Sequence, residues 1–204
     1  TSLTRSSAAS RTVLLPAARP ELAIIHEELP WTDLLAGKSP DAILDDDKGA
    51  LVQVLRGKGL QLVFMGELND GLARESEAPK LRAAGRSITE PEVQRLYRDY
   101  MLAVDRKLQP AVLGLVAESN LIRLAAPALY PAIVKTTNDT AAALRAAGRT
   151  TTLLASVQVE TAWARLGGAG AFVGIATDLA DFPFAQVLGL SSYPYFGWSQ
   201  PEDL

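Results

Sequence analysis

Residues 111–120 read Ala-Val-Leu-Gly-Leu-Val-Ala-Glu-Ser-Asn, and this stretch decides the fold. Its apolar part, rich in valine and leucine, is typical of a buried strand in a parallel sheet. Glutamate is rarely found in the middle of such a strand, so we expect Glu118 at its carboxyl end. Parallel α/β folds place their chemistry at that end. For one strand alone, a glutamate that simply begins a loop would explain the pattern equally well.

Other segments of the chain have the same character. With residues 112–117, four more apolar runs predict strands, at 22–25, 60–65, 152–157 and 186–190. Helix-like segments separate them, and the strongest has apolar residues at helical spacing from Val93 to Leu108. Thr89 and Glu92 form a capping-box pattern just before it. Strand and helix therefore alternate, which predicts an α/β fold with a parallel sheet.

The number of strands favours one kind of parallel sheet. Five strands in about 170 residues fit either an open doubly wound sheet or most of a (β/α)8 TIM barrel, which typically needs about 250 residues. We expect an incomplete portion of a parallel (β/α)8 TIM barrel over residues 21–204, lacking its first strand and its last two. Residues 1–20, rich in serine, threonine and alanine and free of acids, are expected to form a flexible N-terminal tail.

Composition excludes several classes of function. The chain has 204 residues, of which 48% are hydrophobic, and a net charge of -3, so it lacks the basic character of a nucleic-acid-binding protein. There is no cysteine and only one histidine, which excludes disulfides, thiolate zinc sites and multi-histidine metal centres. No apolar run approaches the length of about 20 residues that a membrane span needs. We expect neither a cofactor nor a bound metal.

Carboxylate, amide and aromatic side chains follow the predicted strands. In a barrel these strand ends converge on one face and form a cleft. Carboxylates and amides bind hydroxyl groups, and aromatic rings pack on the C–H faces of sugars, so the cleft suits a neutral polyhydroxylated ligand. The candidate substrate-binding residues are Glu67, Asn69, Asn120, Gln158, Glu160, Trp163, Tyr193 and Tyr195.

Other residues near the strand ends have plain structural explanations. Trp31 and Trp163 could equally be packing residues at the barrel rim, and a structural role for His26 is favoured over a catalytic one. Glu75 and Glu77 are expected to be charged side chains exposed to solvent.

Residues 188–196, Leu-Gly-Leu-Ser-Ser-Tyr-Pro-Tyr-Phe, resemble the strand-six segment of clan A barrel glycoside hydrolases. The closest resemblance is to arabinogalactan endo-β-1,4-galactanases, and it spans roughly residues 20–204. In that clan a glutamate after strand four is the acid/base, and Glu118 falls at the matching place. Ala117 stands where the clan has an asparagine that contacts the sugar. The resemblance places the clan's nucleophile, a glutamate after strand seven, beyond Leu204.

The resemblance implies a glycoside hydrolase that cleaves an oligosaccharide or polysaccharide by a retaining two-carboxylate mechanism, with Glu118 as the catalytic proton donor. It also favours an extracellular or periplasmic location. A catalytically inactive carbohydrate-binding barrel is the alternative, and an open-sheet enzyme of unrelated chemistry is a third possibility. Because an incomplete barrel has open sheet edges, we expect exposed apolar residues such as Val187, Leu188 and Leu190, or a partner chain that covers them.

Overall fold

The structure is a computed structural model that describes residues 21–165 and 174–193. It contains one five-stranded sheet, whose strands are β1 (Leu22–Glu28), β2 (Gln61–Glu67), β3 (Val112–Val116), β4 (Thr152–Gln158) and β5 (Val187–Ser191). All neighbouring strands are parallel and follow chain order. They form a curled half-barrel, which confirms the incomplete parallel barrel. An open doubly wound sheet would instead reverse its strand order at a switch point.

Helices connect the strands and cover the outer face of the sheet. They are α1 (Trp31–Leu35), α2 (Pro40–Gly57), α3 (Pro79–Ala83), α4 (Pro91–Leu108), α5 (Ser119–Ala125), α6 (Tyr130–Ala146), α7 (Val159–Ala162) and α8 (Ala176–Asp181). Proline in the first turn fits a position whose backbone N–H has no partner in the helix, and α4 begins in this way. The predicted capping box before α4 is wrong, because Glu92 pairs with Arg86 and Thr89 bonds to Ser87.

The core lies between the outer face of the sheet and the long helices. Alternate residues of a strand point to opposite faces, and the outward Phe64, Leu113 and Leu153 are fully buried. Tyr97 of α4 is also fully buried and donates its hydroxyl hydrogen to the carbonyl of Leu115, at 2.8 Å. This tyrosine therefore packs in the core, as its helical spacing predicts.

The opposite, concave face of the sheet is covered in the middle and open at its margins. Met65 lies across Gly114 of the next strand, where an added Cβ would approach the methionine sulfur to 2.5 Å. At the margin, Leu22 and Ile24 of β1 are 55% and 65% exposed. At the other edge strand, Val187 on the concave face is 38% exposed, and Leu188 and Leu190 on the outer face are 37% and 68% exposed, which confirms the expected exposed apolar edges.

The predicted N-terminal tail, residues 1–20, lies outside the described residues. Among the helices within 21–165 and 174–193, none combines the length and apolar character that crossing a membrane requires.

The exposed margins give a test of the fold. We expect Ile24→Ser and Leu190→Ser to change the free energy of unfolding by less than about 1 kcal/mol, because little apolar area is lost from the core. Leu113→Ser, the buried control, should cost about 3 kcal/mol or more. Urea denaturation monitored by circular dichroism measures all three. A loss for Ile24→Ser as large as that for Leu113→Ser would mean that this margin is covered in solution.

Candidate active site

One arginine joins two buried glutamates at the carboxyl ends of the central strands. Glu67 is the last residue of β2, and Glu118 follows β3 by two residues. Arg74 Nη2 donates to Glu67 Oε1 and Arg74 Nε donates to Glu118 Oε2, both at 2.8 Å. The three side chains are between 6% and 10% exposed. A single guanidinium therefore compensates two carboxylates that water barely reaches.

The loop after β2 is shaped to hold Arg74 in that position. The Asp70 carboxylate accepts hydrogen bonds from the backbone N–H groups of Leu72 and Ala73, a turn that aspartate commonly forms. Asn69 donates its amide hydrogen to the carbonyl of Arg74 at 2.8 Å. These bonds fix the backbone on both sides of the loop tip, so Arg74 is directed back toward the sheet.

Gly71 lets this loop lie against the Glu67 carboxylate. A Cβ added at Gly71 would lie 2.1 Å from Glu67 Oε2, a distance that no side chain could tolerate. Any other residue at position 71 would displace either the loop or the carboxylate.

Glu118 is held in an unusual backbone conformation. Its φ of 50° and ψ of 46° lie in the left-handed region, which costs a residue other than glycine on the order of 1 kcal/mol. Its backbone N–H donates to Ser156 Oγ of β4 at 2.9 Å, and its Oε1 accepts from Ser191 Oγ of β5 at 2.6 Å. Three strands thus position one carboxylate, which is typical of residues with a functional constraint.

A third glutamate, Glu160, follows β4 and contacts the residues that follow β5. Its partner Ser192 is next in the chain to Ser191, which binds Glu118. Glu160 accepts hydrogen bonds from Gln158 Nε2 at 2.5 Å, from Ser192 Oγ at 2.6 Å and from the backbone N–H of Tyr193 at 2.9 Å. Two aromatic residues lie near it in the chain, because Trp163 directly follows α7 and Tyr193 lies two residues beyond β5. They are 55% and 41% exposed, so both offer ring surface to a ligand.

His26 extends the row of polar side chains to the first strand. Its Nε2 lies 2.7 Å from Glu67 Oε1, the oxygen that also accepts from Arg74, and its side chain is 41% exposed. The ends of all five strands therefore contribute to one series of side chains: His26, Glu67, Arg74, Glu118, Ser191, Ser192 and Glu160.

Hydrogen bonds decide the charge state of two of these glutamates. Burial alone would raise the pKa of Glu67, but the hydrogen bond with His26 and the charge of Arg74 outweigh it and lower that pKa below 4.5. Burial likewise opposes ionisation of Glu160, yet the bonds from Ser192 and the Tyr193 backbone lower its pKa. Both side chains are therefore carboxylates at neutral pH.

The structure places the remaining predicted residues as follows. Asn69 and Asn120 are almost fully buried, and their amides bond to Arg74 and to the Gln158 backbone respectively. The Gln158 side chain caps α7 and contacts Glu160. These three amides are thus engaged within the protein, whereas Tyr195 lies outside the described residues.

Trp31 is fully buried, which confirms its packing role. Glu77 is not simply solvated, because its carboxylate accepts from Ser87 Oγ and the Ile88 backbone. Sequence reasoning missed the contribution of Arg74, whereas Ser191 lies at the end of β5, as its sequence position predicts, and contacts Glu118. The usable signal for Arg74 was its place in a long polar stretch directly after a glutamate-ended strand, although that stretch also contains Arg82 and Arg86.

Comparison with family models, with curated proteins and with solved structures finds no significant match. Within residues 21–165 and 174–193, no group of three or more acidic or histidine side chains is arranged to hold a metal ion.

Removing Arg74 tests its role as the shared cation. We expect Arg74→Met to lower the free energy of unfolding by about 3 kcal/mol or more, because two buried carboxylates lose their cation. Arg74→Lys should recover only part of this, since an ammonium group cannot replace the fork of a guanidinium. Arg95→Met, which breaks an exposed pair with Asp99, is the control and should change stability by less than about 0.5 kcal/mol. Equal losses for Arg74→Met and Arg95→Met would contradict the assignment.

The lowered pKa of Glu67 predicts a pH dependence of stability. A carboxyl whose pKa is lower in the folded state stabilises the fold above its unfolded value, here about 4.5, and this contribution disappears as the pH falls through the folded value. The free energy of unfolding should therefore decrease in acid, and less steeply in Glu67→Gln. Urea titrations at a series of pH values measure the slope, and Leu72→Ala, a neutral change on the same loop, should keep the wild-type slope. An unchanged slope in Glu67→Gln would contradict this origin.

Proposed function

We propose that this chain is part of a barrel glycoside hydrolase, which cleaves an oligosaccharide or polysaccharide by a retaining two-carboxylate mechanism. The observation that supports it best is the placement of Glu118 and Glu67 together at the carboxyl ends of parallel strands. Two carboxyl groups flanking the scissile bond are the core of most glycosidase mechanisms. The resemblance of residues 188–196 to clan A hydrolases adds independent support.

Glu118 is proposed as the proton donor. Its proton would pass to the glycosidic oxygen as the bond between that oxygen and the anomeric carbon breaks. In the structure both Glu118 oxygens accept hydrogen bonds, from Arg74 and Ser191, so the acid form must give up part of its attraction to Arg74. Glu67 can retain Arg74 in that state, because it already binds the same guanidinium.

The second carboxylate of the mechanism has two possible sources. Glu67 and Glu160 lie in the same row of side chains as Glu118, while the clan resemblance places the nucleophile on a later strand. In either case Arg74 would stabilise the negative charge of the site between turnovers.

Trp163 and Tyr193 are proposed to bind the sugar rings. Both are exposed and lie close to Glu160 in the chain, and the Tyr193 backbone contacts that carboxylate. A sugar ring that packs on either side chain would approach polar groups of the site. This combination of a flat aromatic face and nearby polar groups suits a neutral saccharide.

The alternative is a barrel that binds carbohydrate without cleaving it. Two observations favour it: Ala117 replaces the asparagine of the clan pattern, and the Glu118 carboxylate is fully engaged within the protein. Binding and cleavage must therefore be measured separately.

Glu118→Gln separates the two functions. In the full-length protein we expect kcat/KM on β-1,4-galactan to fall about 100-fold or more, because the proton donor is lost. The loss should be much smaller on an aryl galactoside, whose leaving group needs little protonation. Reducing-sugar release and absorbance measure the two reactions, and Glu75→Gln, an exposed change on the Arg74 loop, is the control. Equal losses on both substrates would remove Glu118 from the acid role.

Aromatic substitutions test binding directly. Trp163→Ala and Tyr193→Ala should each weaken binding of a β-1,4-galactan oligosaccharide about 2- to 10-fold, since each removes a ring–sugar contact. Calorimetry measures the affinity, and Leu72→Ala, which truncates a fully exposed side chain, is the control. Unchanged affinity in both aromatic variants would assign these rings a purely structural role. Binding by a protein that cleaves no glycan would favour the alternative.

A further inference from the structure

We propose that His26 binds a hydroxyl group of the saccharide through Nδ1, and that Glu67 is the positioning residue that makes Nδ1 available. This inference deepens the proposed function and depends on it for the ligand. It adds to the carboxylate pair a recognition residue on β1, and it specifies Nδ1 as the ring nitrogen that contacts the ligand.

The contact with Glu67 decides the tautomer of His26. Nε2 lies 2.7 Å from Glu67 Oε1, and the lowered pKa of Glu67 keeps this carboxyl ionised and acceptor-only. The hydrogen between them must therefore belong to Nε2. In the neutral imidazole Nδ1 is then the acceptor, because one ring nitrogen donates while the other accepts.

The His26 imidazole is partly exposed to solvent. The side chain of His26 is 41% exposed, and Glu67 is its one hydrogen-bond partner within the described residues. The neighbouring Ile25 is buried on the other face of β1, so His26 points to the concave side that carries Met65. An acceptor at the end of a barrel strand, beside the carboxylate row, lies where a saccharide hydroxyl would approach.

The carboxylates of the row are less free to accept further hydrogen bonds. Glu118 is engaged by Arg74 and Ser191, and Glu160 by Gln158, Ser192 and the Tyr193 backbone. Glu67 Oε1 already accepts from both His26 and Arg74. His26 Nδ1 is thus an acceptor with no partner among the described residues, beside carboxylates whose oxygens are mostly engaged already.

Other charges near His26 are paired. Glu28, on the same face of β1, accepts from the Lys80 backbone and lies 3.9 Å from the Lys80 ammonium. Glu27, on the opposite face, pairs with Lys48 at 2.7 Å. Glu67, itself shared with Arg74, is therefore the charged group that contacts the imidazole and sets its orientation.

The first experiment reads the tautomer by nitrogen NMR. The chain has a single histidine, so one pair of imidazole signals belongs to His26 without further assignment. At about pH 8, where an ordinary imidazole is neutral, we expect a protonated Nε2 and an unprotonated Nδ1. Glu67→Gln should shift both signals toward the average of two exchanging tautomers, whereas Glu28→Gln, the control on the same strand face, should leave them in place. Averaged signals in the wild type would overturn the proposal.

The second experiment reads the ligand contact. A β-1,4-galactotetraose is titrated into Glu118→Gln, which limits turnover, and the Nδ1 signal should shift more than the Nε2 signal. His26→Gln keeps an amide donor near the Nε2 position and loses the Nδ1 acceptor, so affinity should fall about 3- to 10-fold. His26→Asn keeps an amide oxygen near the Nδ1 position and should lose less.

The outcomes separate this inference from the proposed function. A tetraose that binds by calorimetry without shifting Nδ1, and with equal affinity in His26→Gln, overturns the role of His26 alone. If neither galactotetraose nor galactan binds to the wild type, the proposed function fails, and the saccharide role of His26 fails with it. A shifted Nδ1 signal together with weaker binding in His26→Gln supports both.

Discussion

The organisation of this site depends on one buried guanidinium shared by two carboxylates. Glu67 and Glu118 come from neighbouring parallel strands, and their like charges would repel in a poorly hydrated environment. Arg74 makes the arrangement possible because its planar fork donates to both at once. The constraint extends to the loop, since Asn69, Asp70 and Gly71 are the residues that allow Arg74 to reach this position.

The fold was largely predictable because its signals are local. A buried parallel strand appears in the sequence as a short apolar run, and all five runs became strands in chain order. The position of Glu118 was predictable for the same reason, because a charged residue directly after such a run marks the end of the strand. Its left-handed backbone was not, since that conformation depends on Ser156 of the next strand.

The side-chain pairings were much harder to foresee. Arg74 is separated from Glu118 by 44 positions, and no local pattern identifies which arginine of a polar loop turns inward. The buried amides show the same limit, because Asn120 and Gln158 could have faced a ligand. Instead the Asn120 side chain bonds to the Gln158 backbone, and the Gln158 side chain bonds to Glu160 and the Thr161 backbone. Sequence pattern predicts which strand end a polar residue occupies, whereas its partners depend on the geometry of several loops together.

The backbone of Glu118 places stability and function in opposition at one position. Glycine would adopt the same left-handed conformation without strain, but it would also remove the carboxylate that binds Arg74 and Ser191. A glycine at this position would therefore relieve the backbone strain while abolishing the side chain proposed to transfer the proton. The left-handed backbone of Glu118 is thus a conformational cost that the chain would have to keep for the proposed proton transfer.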